Sequence, residues 1–313
     1  MTERKLHLDT VAVVALVVCC AVWGLGQVAG KATLVEVPAL MQAAIRSCGA
    51  AVLVALWARW RGIPLFDRDG TLAAGLWAGA LFALEFGLIF TGLRFTTASR
   101  MVVFVYLAPF VVALGMPLIA RNERLDGLQC LGLIAAFGGV AWAFAEGFQQ
   151  PSVGELQWLG DALGVAGAVF WGATTLVIRA TRLSQAAAEK TLLYQLAVSG
   201  VALGLASWLV GEPVPARLSL LPACALVFQI VVVCFASYLL WFWLIRHYPA
   251  TQLSAFTLLT PVFGLLAGVA LMGDPLTLRL IVALVAVSVG IALVHRGGPA
   301  LSPMRQSERD SPA

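Results

Sequence analysis

Residues 23–33 read WGLGQVAGKAT, and 148 positions later residues 171–181 read WGATTLVIRAT. Each stretch holds Trp-Gly, six apolar or weakly polar residues, a cation and then Ala-Thr. A second pair repeats at nearly the same distance. RFTTASRMVVFVYLAP (94–109) is matched by RHYPATQLSAFTLLTP (246–261), so that Arg94, Ala98, Ser99 and Pro109 correspond to Arg246, Ala250, Thr251 and Pro261 at an offset of 152. Two matches in register imply an internal duplication, and an acid, Glu123 or Asp274, opens the next apolar run in each half. The two repeats run over 1–148 and 149–297.

The composition states the solvent of these repeats. Hydrophobic residues make up 61% and charged residues 12%, with a mean hydropathy of +0.93. A soluble domain carries about 25% charged residues, so a chain with half that share faces lipid over much of its surface. The formal charge of +4 comes from loops and a basic tail. It therefore reads as membrane topology, and no nucleic-acid partner is implied.

A bilayer core of about 30 Å needs about 20 apolar residues per helix, and the chain predicts ten such spans. They lie near 9–31, 38–59, 71–93, 97–120, 126–146, 156–179, 187–210, 219–245, 250–272 and 276–295. The apolar run after the charged N-terminus is nearly a full crossing without a convincing cleavage triplet, so it reads as a retained first span. Residues 298–313, rich in Pro, Ser and charge, predict a disordered cytoplasmic tail. Lys and Arg gather in cytoplasmic loops. With the N-terminus inside, fourteen cations fall inside, five fall outside and Arg46 lies within a span. Both termini are then cytoplasmic.

Five spans per repeat is odd, so the second repeat enters the membrane from the opposite side. The expected fold is all-α and integral to the membrane: ten transmembrane helices as two inverted five-helix repeats around a central cavity, the arrangement of many secondary transporters. Inversion also accounts for the outside cations Lys31 and Arg94, whose counterparts are the inside cations Arg179 and Arg246.

These features together resemble the EamA-type branch of the drug/metabolite transporter superfamily. They are the early Trp-Gly of each repeat, an Arg in the second span (AAIRSCGAAVLVAL), Ala-Ser/Thr then Pro in the fourth, and an acid before the fifth (NERLDGLQCLGLIAAFGGVAW). The resemblance covers nearly the whole chain, and the aromatic-rich spans look like those of bacterial aromatic amino-acid exporters. It implies a multi-pass protein of the bacterial inner membrane, with a cavity lined mainly by spans 1, 3, 4, 6, 8 and 9. It further implies alternating access, a small-molecule substrate and the monomer as the working unit. Multidrug export, or export of another metabolite such as a nucleoside or sugar-type compound, is the alternative within the superfamily. The small multidrug transporters use a Glu in the middle of the first span for proton coupling, where this chain has only Asp9 at the edge and Gln27 inside.

Charge at membrane depth costs from about 3 kcal/mol upward, so it faces a cavity or a partner. Arg46 and Glu85 each lie about eight residues from the outer end of their spans, about 12 Å deep at 1.5 Å per residue. One reading is an ion pair that holds spans 2 and 3 together. The other gives Glu85 a substrate role, because its inverted counterpart is Ser237 and the carboxylate is thus peculiar to one half. Phe82, Phe86 and Ile89 share its helical face. A carboxylate on such a stripe can receive an ammonium while rings hold an apolar side chain. It is also the remaining acid for proton coupling, the alternative being a carrier that simply runs down the substrate gradient. Further substrate candidates are Trp23, Gln27, Met101, Tyr106, Trp171, Tyr238, Trp241, Ser254 and Thr257. Pro109 and Pro261 remove helical hydrogen bonds inside spans 4 and 9, which makes each a static kink or a hinge.

Enzymatic motifs for zinc hydrolysis, nucleophilic serine, phosphate or dinucleotide binding are missing from the sequence, and no catalytic residue, cofactor or metal is expected. An intramembrane enzyme is a remote reading. Asp67 and Asp69 of FDRDG (66–70) have a metal-like spacing but read as a helix-start turn. The six cysteines, Cys19, Cys20, Cys48, Cys130, Cys224 and Cys234, lie in apolar runs and read as small buried hydrophobes.

Overall fold

The computed structural model describes residues 9–119, 127–149, 151, 153–247, 257 and 259–296. Arg4, Lys5, Glu123, Ala250, Thr251, Ser254 and the tail 298–313 lie outside the described residues. Helices account for the regular structure: α1 Thr10–Thr33, α2 Ala39–Trp60, α3 Leu72–Gly92, α4 Ala98–Val105, α5 Ala108–Ile119, α6 Gly127–Gln149, α7 Gln157–Ala180, α8 Ala188–Leu209, α9 Leu220–Val227, α10 Tyr238–His247, α11 Leu259–Ala267 and α12 Leu278–Arg296. Among the described residues seven stretches are long and apolar enough to cross a membrane. Shorter apolar helices, Cys130–Glu146, Leu259–Met272 and Leu278–Leu293, fall on the three remaining predicted spans. The chain is a multi-pass membrane protein.

Two predicted spans are interrupted where a continuous helix was expected. The fourth breaks into α4 and α5 at Tyr106–Leu107, immediately before Pro109. The proline ring clashes with the preceding turn and supplies no N–H, so the ladder closes on other atoms: Leu107 N–H donates to Phe104 O at 3.1 Å and Phe110 N–H to Leu107 O at 3.0 Å. The eighth widens into a π-helix, Phe228–Ser237, between α9 and α10. Side-chain donors occupy carbonyls near both its ends, Gln229 Nε2 on Ala225 O at 3.3 Å and Ser237 Oγ on Val233 O at 2.5 Å. Such back-bonding competes with the regular ladder. A second π-turn, Gly268–Met272, follows α11.

The two sequence halves interlace. Helix α2 packs along α8 and α6 along α12; α3 lies against α7 and α8, α1 against α11, α9 and the π-helix, and α7 against α4 and α5. Both large apolar clusters draw on each half. One joins Val54, Phe82 and Phe90 to Leu192, Leu196 and Val233; the other joins Phe104, Phe110 and Leu133 to Leu265, Leu280 and Val287. Large apolar side chains also cover the outside, among them Val52, Trp77, Leu118 and Leu205. That surface suits hydrocarbon. The cysteines divide accordingly: Cys19, Cys20 and Cys234 are buried, whereas Cys48, Cys130 and Cys224 face outward. Expecting all six inside the fold was therefore too strong, because apolar runs here face lipid as well as protein.

Glycine sets how near these helices come. A Cβ on Gly290 of α12 would lie 2.5 Å from the carbonyl oxygen of Gly132 on α6, and the reverse distance is 2.7 Å. Lipid tails are as apolar as leucine, so close van der Waals contact between small residues holds membrane helices together. Overpacking such a contact costs about 1–3 kcal/mol or more. We expect Gly290→Leu to lower the thermal midpoint of the purified protein in detergent. Gly138→Leu should leave it unchanged, since nothing lies within 4 Å of that Cβ position.

Candidate functional site

Glu85 on α3 and Arg46 on α2 are both buried, each 4% exposed. Depth in an apolar bundle requires each to find a partner, yet no contact within 4.0 Å joins them directly. The Arg46 guanidinium instead lies over the ring of Phe86, 3.8 Å from its centroid, and 5.1 Å from that of Phe90. Its Nε and Nη2 and the Oε2 of Glu85 have no hydrogen-bond partner, and neither has Ser47 Oγ beside Arg46. The two charges are within electrostatic reach of each other, and both reach Tyr238, with Cys234 also close by.

The predicted aromatic residues gather around this pair, in part with other roles. Phe82 and Phe86 are in ring contact at 4.6 Å, and Phe86 is the platform for Arg46. Trp23 on α1 donates from Nε1 to Ser237 Oγ at 2.8 Å and meets Trp241 edge-on at 5.4 Å. Glu85's inverted counterpart is thus a hydrogen-bond acceptor for a tryptophan. Trp171 on α7 meets Tyr106 edge-on at 5.6 Å and packs against both large clusters. Met101 is fully buried and its methyl group closes on Gly92. Gln27 is half-buried. Thr257 forms a turn in which its carbonyl accepts Thr260 N–H at 3.0 Å, and Pro261 sits in the first turn of α11. Ser254 lies outside the described residues.

Phe82, Glu85, Phe86, Met101 and Tyr106 are buried, whereas Trp23, Gln27, Trp171, Tyr238 and Trp241 are partly exposed. A cavity of about 620 Å³ opens elsewhere, at the end bearing Lys190, between Gly70, Ala73, Ala74, Arg179, Thr181 and Arg182. It touches none of the predicted substrate residues.

The end of the molecule bearing Lys31 carries a polar clasp that the sequence reading did not single out. Arg100 donates to both oxygens of Asp161 (Nε 3.1 and 3.2 Å, Nη2 2.6 Å), to Glu146 Oε2 at 2.7 Å and to Ala143 O at 2.6 Å. Thr96 Oγ1 donates to Asp161 at 2.6 Å and Thr277 Oγ1 to Glu146 at 2.9 Å. Lys31 Nζ donates to the carbonyls of Leu93 and Thr96. The clasp thereby ties α1, α3, α4, α6, α7 and the start of α12. Its one early signal was Asp161, an unexplained acid five residues inside a predicted span.

The same end holds a helix cap. Glu212 accepts the N–H groups of Leu40 and Met41 at 3.1 and 2.8 Å, where Pro38 offers α2 no side-chain cap. A carboxylate there also meets the positive end of the helix dipole. At the opposite end Asp69 binds Lys190 Nζ at 2.8 Å and accepts from Thr71 N and Oγ1. Lys190 and then Thr71 hold the Asp69 carboxyl far below the usual carboxylate range. Asp69 is thus a turn former, as FDRDG suggested, and a clasp acid as well.

The EamA-like transporter family model matches residues 10–145 and 158–296. The chain belongs to the EamA-like transporter family. This EamA-like chain is 25% identical over 273 residues to the Uncharacterized transporter YvbV of Bacillus subtilis (strain 168), covering 87% of this chain and 88% of that one. It is 20% identical over 271 residues to the Uncharacterized transporter YoaV of the same organism, covering 86% and 91%. A solved crystal structure superposes with a TM-score of 0.65 at 16% identity, over 91% of this chain and 96% of that one. At that identity the likeness speaks to fold alone.

Removing one partner of a buried charge cluster costs about 3–5 kcal/mol, because the remaining charges stay desolvated. Arg100→Met should therefore lower the melting temperature markedly in detergent. Arg94→Ala, at an exposed cation of the same end, should leave it within error.

Proposed function

We propose that this transporter exports amino acids, aromatic or otherwise apolar, and related metabolites across the bacterial inner membrane by alternating access. The observation that carries this reading is Glu85, a carboxylate buried in the membrane interior with one oxygen unpartnered, on a helix face lined by Phe82 and Phe86. A buried acceptor with no donor is costly unless a ligand supplies one. A substrate ammonium does so, and the rings of Trp23, Phe82 and Trp171 suit an apolar side chain. Gln27, Met101, Tyr106, Tyr238, Trp241, Ser254 and Thr257 complete the candidate lining.

Ten spans in two inverted repeats supply the machinery. The packing supports this: exchanging each predicted span with the one five later turns the α1 contact with the π-helix into that of α3 with α7. The same exchange turns α1 with α11 into α7 with α4 and α5, and returns α2 with α8 and α6 with α12 to themselves. The family match to two stretches of the chain agrees. Alternating access then opens the two ends in turn, with the Arg100 clasp shutting the outer one and Pro109 and Pro261 as hinges. Both termini are cytoplasmic and the monomer is the working unit.

The test is counterflow of labelled amino acids in proteoliposomes, competed by a panel of amino acids, nucleosides, sugars and lipophilic cations. Saturable phenylalanine or leucine transport is expected, and competition only by the other classes would replace the amino-acid reading. Glu85→Gln should fold normally and lose about tenfold or more in transport, the worth of one charge-assisted hydrogen bond. An unchanged rate would remove Glu85 from the site.

A further inference from the structure

We infer that Arg46 is the receptor for the substrate's carboxylate, so that Arg46 and Glu85 together form a site for a zwitterion. This rests on the amino-acid reading above and deepens it by assigning the second charge.

Elsewhere in the molecule a buried arginine is fully engaged: Arg100 spends its donors on Asp161, Glu146 and the Ala143 carbonyl. Arg46 is buried to the same degree, and its charge is met by the ring faces of Phe86 and Phe90. A ring face satisfies the cation but accepts no in-plane N–H. The edge of the guanidinium is left open, with Nε and Nη2 unpartnered, and that fork matches a carboxylate. Phe86 and Phe90 act as positioning residues that orient it. Phe86 is thereby withdrawn from the lining for the substrate's apolar side chain.

Glu85 lies within electrostatic reach of Arg46 but not in contact with it, and its Oε2 also lacks a partner. The two charges sum to zero. A ligand carrying one charge of each sign partners both and keeps the buried site neutral, whereas a monocation is repelled by Arg46 and a monoanion by Glu85. A sugar or nucleoside brings no charge to either. Because the pair is desolvated, these differences are larger than they would be in water. The ligand class is therefore an α-amino acid with both termini free.

The experiment uses full-length protein in proteoliposomes, with counterflow of labelled phenylalanine competed by phenethylamine, which lacks the carboxylate, and 3-phenylpropionate, which lacks the amine. In the wild type both analogues should compete about tenfold or more weakly than phenylalanine. Arg46→Gln should weaken phenylalanine by a similar factor while phenethylamine, relieved of repulsion by the guanidinium, is strengthened. Equal weakening of both by Arg46→Gln, or analogues that match phenylalanine in the wild type, would overturn the inference. Should Arg46→Gln fail to fold, Arg46→Lys keeps the charge without the fork and is expected to weaken phenylalanine selectively. No phenylalanine counterflow in the wild type would overturn the amino-acid reading and this inference together. Counterflow with an unchanged analogue profile in the variant would overturn this inference alone.

Discussion

Hydrocarbon offers no partner to a charge, and this constraint separates the buried polar groups of the protein into two kinds. At the end bearing Lys31 the need is met within the chain: Arg100, Asp161, Glu146, Thr96 and Thr277 satisfy one another across three helices, a turn and a helix start. In the middle it is not met. Arg46 rests on rings, and Glu85 keeps an oxygen free. That contrast between a satisfied charge cluster and an unsatisfied pair is the ground of the proposed zwitterion site.

The same constraint shapes the packing. The two halves of the sequence interlace, and the apolar clusters contain residues from both. Backbones then approach as closely as Gly132 and Gly290 allow. Apart from the π-turn Gly268–Met272, irregular helical backbone among the described residues falls at two places, the break before Pro109 and the π-helix Phe228–Ser237. Both adjoin candidate site residues, Tyr106 in one case and Cys234, Ser237 and Tyr238 in the other.

Much of this was legible in the sequence because the relevant signals are local. Apolar run length located the helical spans, Pro109 located a break, and Arg46 and Glu85 stood out as charges inside apolar runs. What was not legible is who meets whom. Arg100 and Asp161 lie 61 residues apart and Trp23 and Ser237 lie 214 apart, and no periodicity relates them. Phe86 read as substrate lining because its helical face is shared with Glu85. That it serves as a platform for Arg46 depends on the neighbouring helix. The π-helix was hidden for a related reason: the donors near its ends, Gln229 and Ser237, look like ordinary polar residues until their carbonyl partners are seen.

The central claim is that Arg46 and Glu85 are held apart for a ligand that joins them. The most direct measurement is an experimental structure of the full chain with phenylalanine bound. The account predicts the ligand carboxylate within hydrogen-bond distance of Arg46 Nε and Nη2, its ammonium on Glu85, and the guanidinium still seated on Phe86. A ligand bound elsewhere, with Arg46 and Glu85 paired directly to each other, would contradict it.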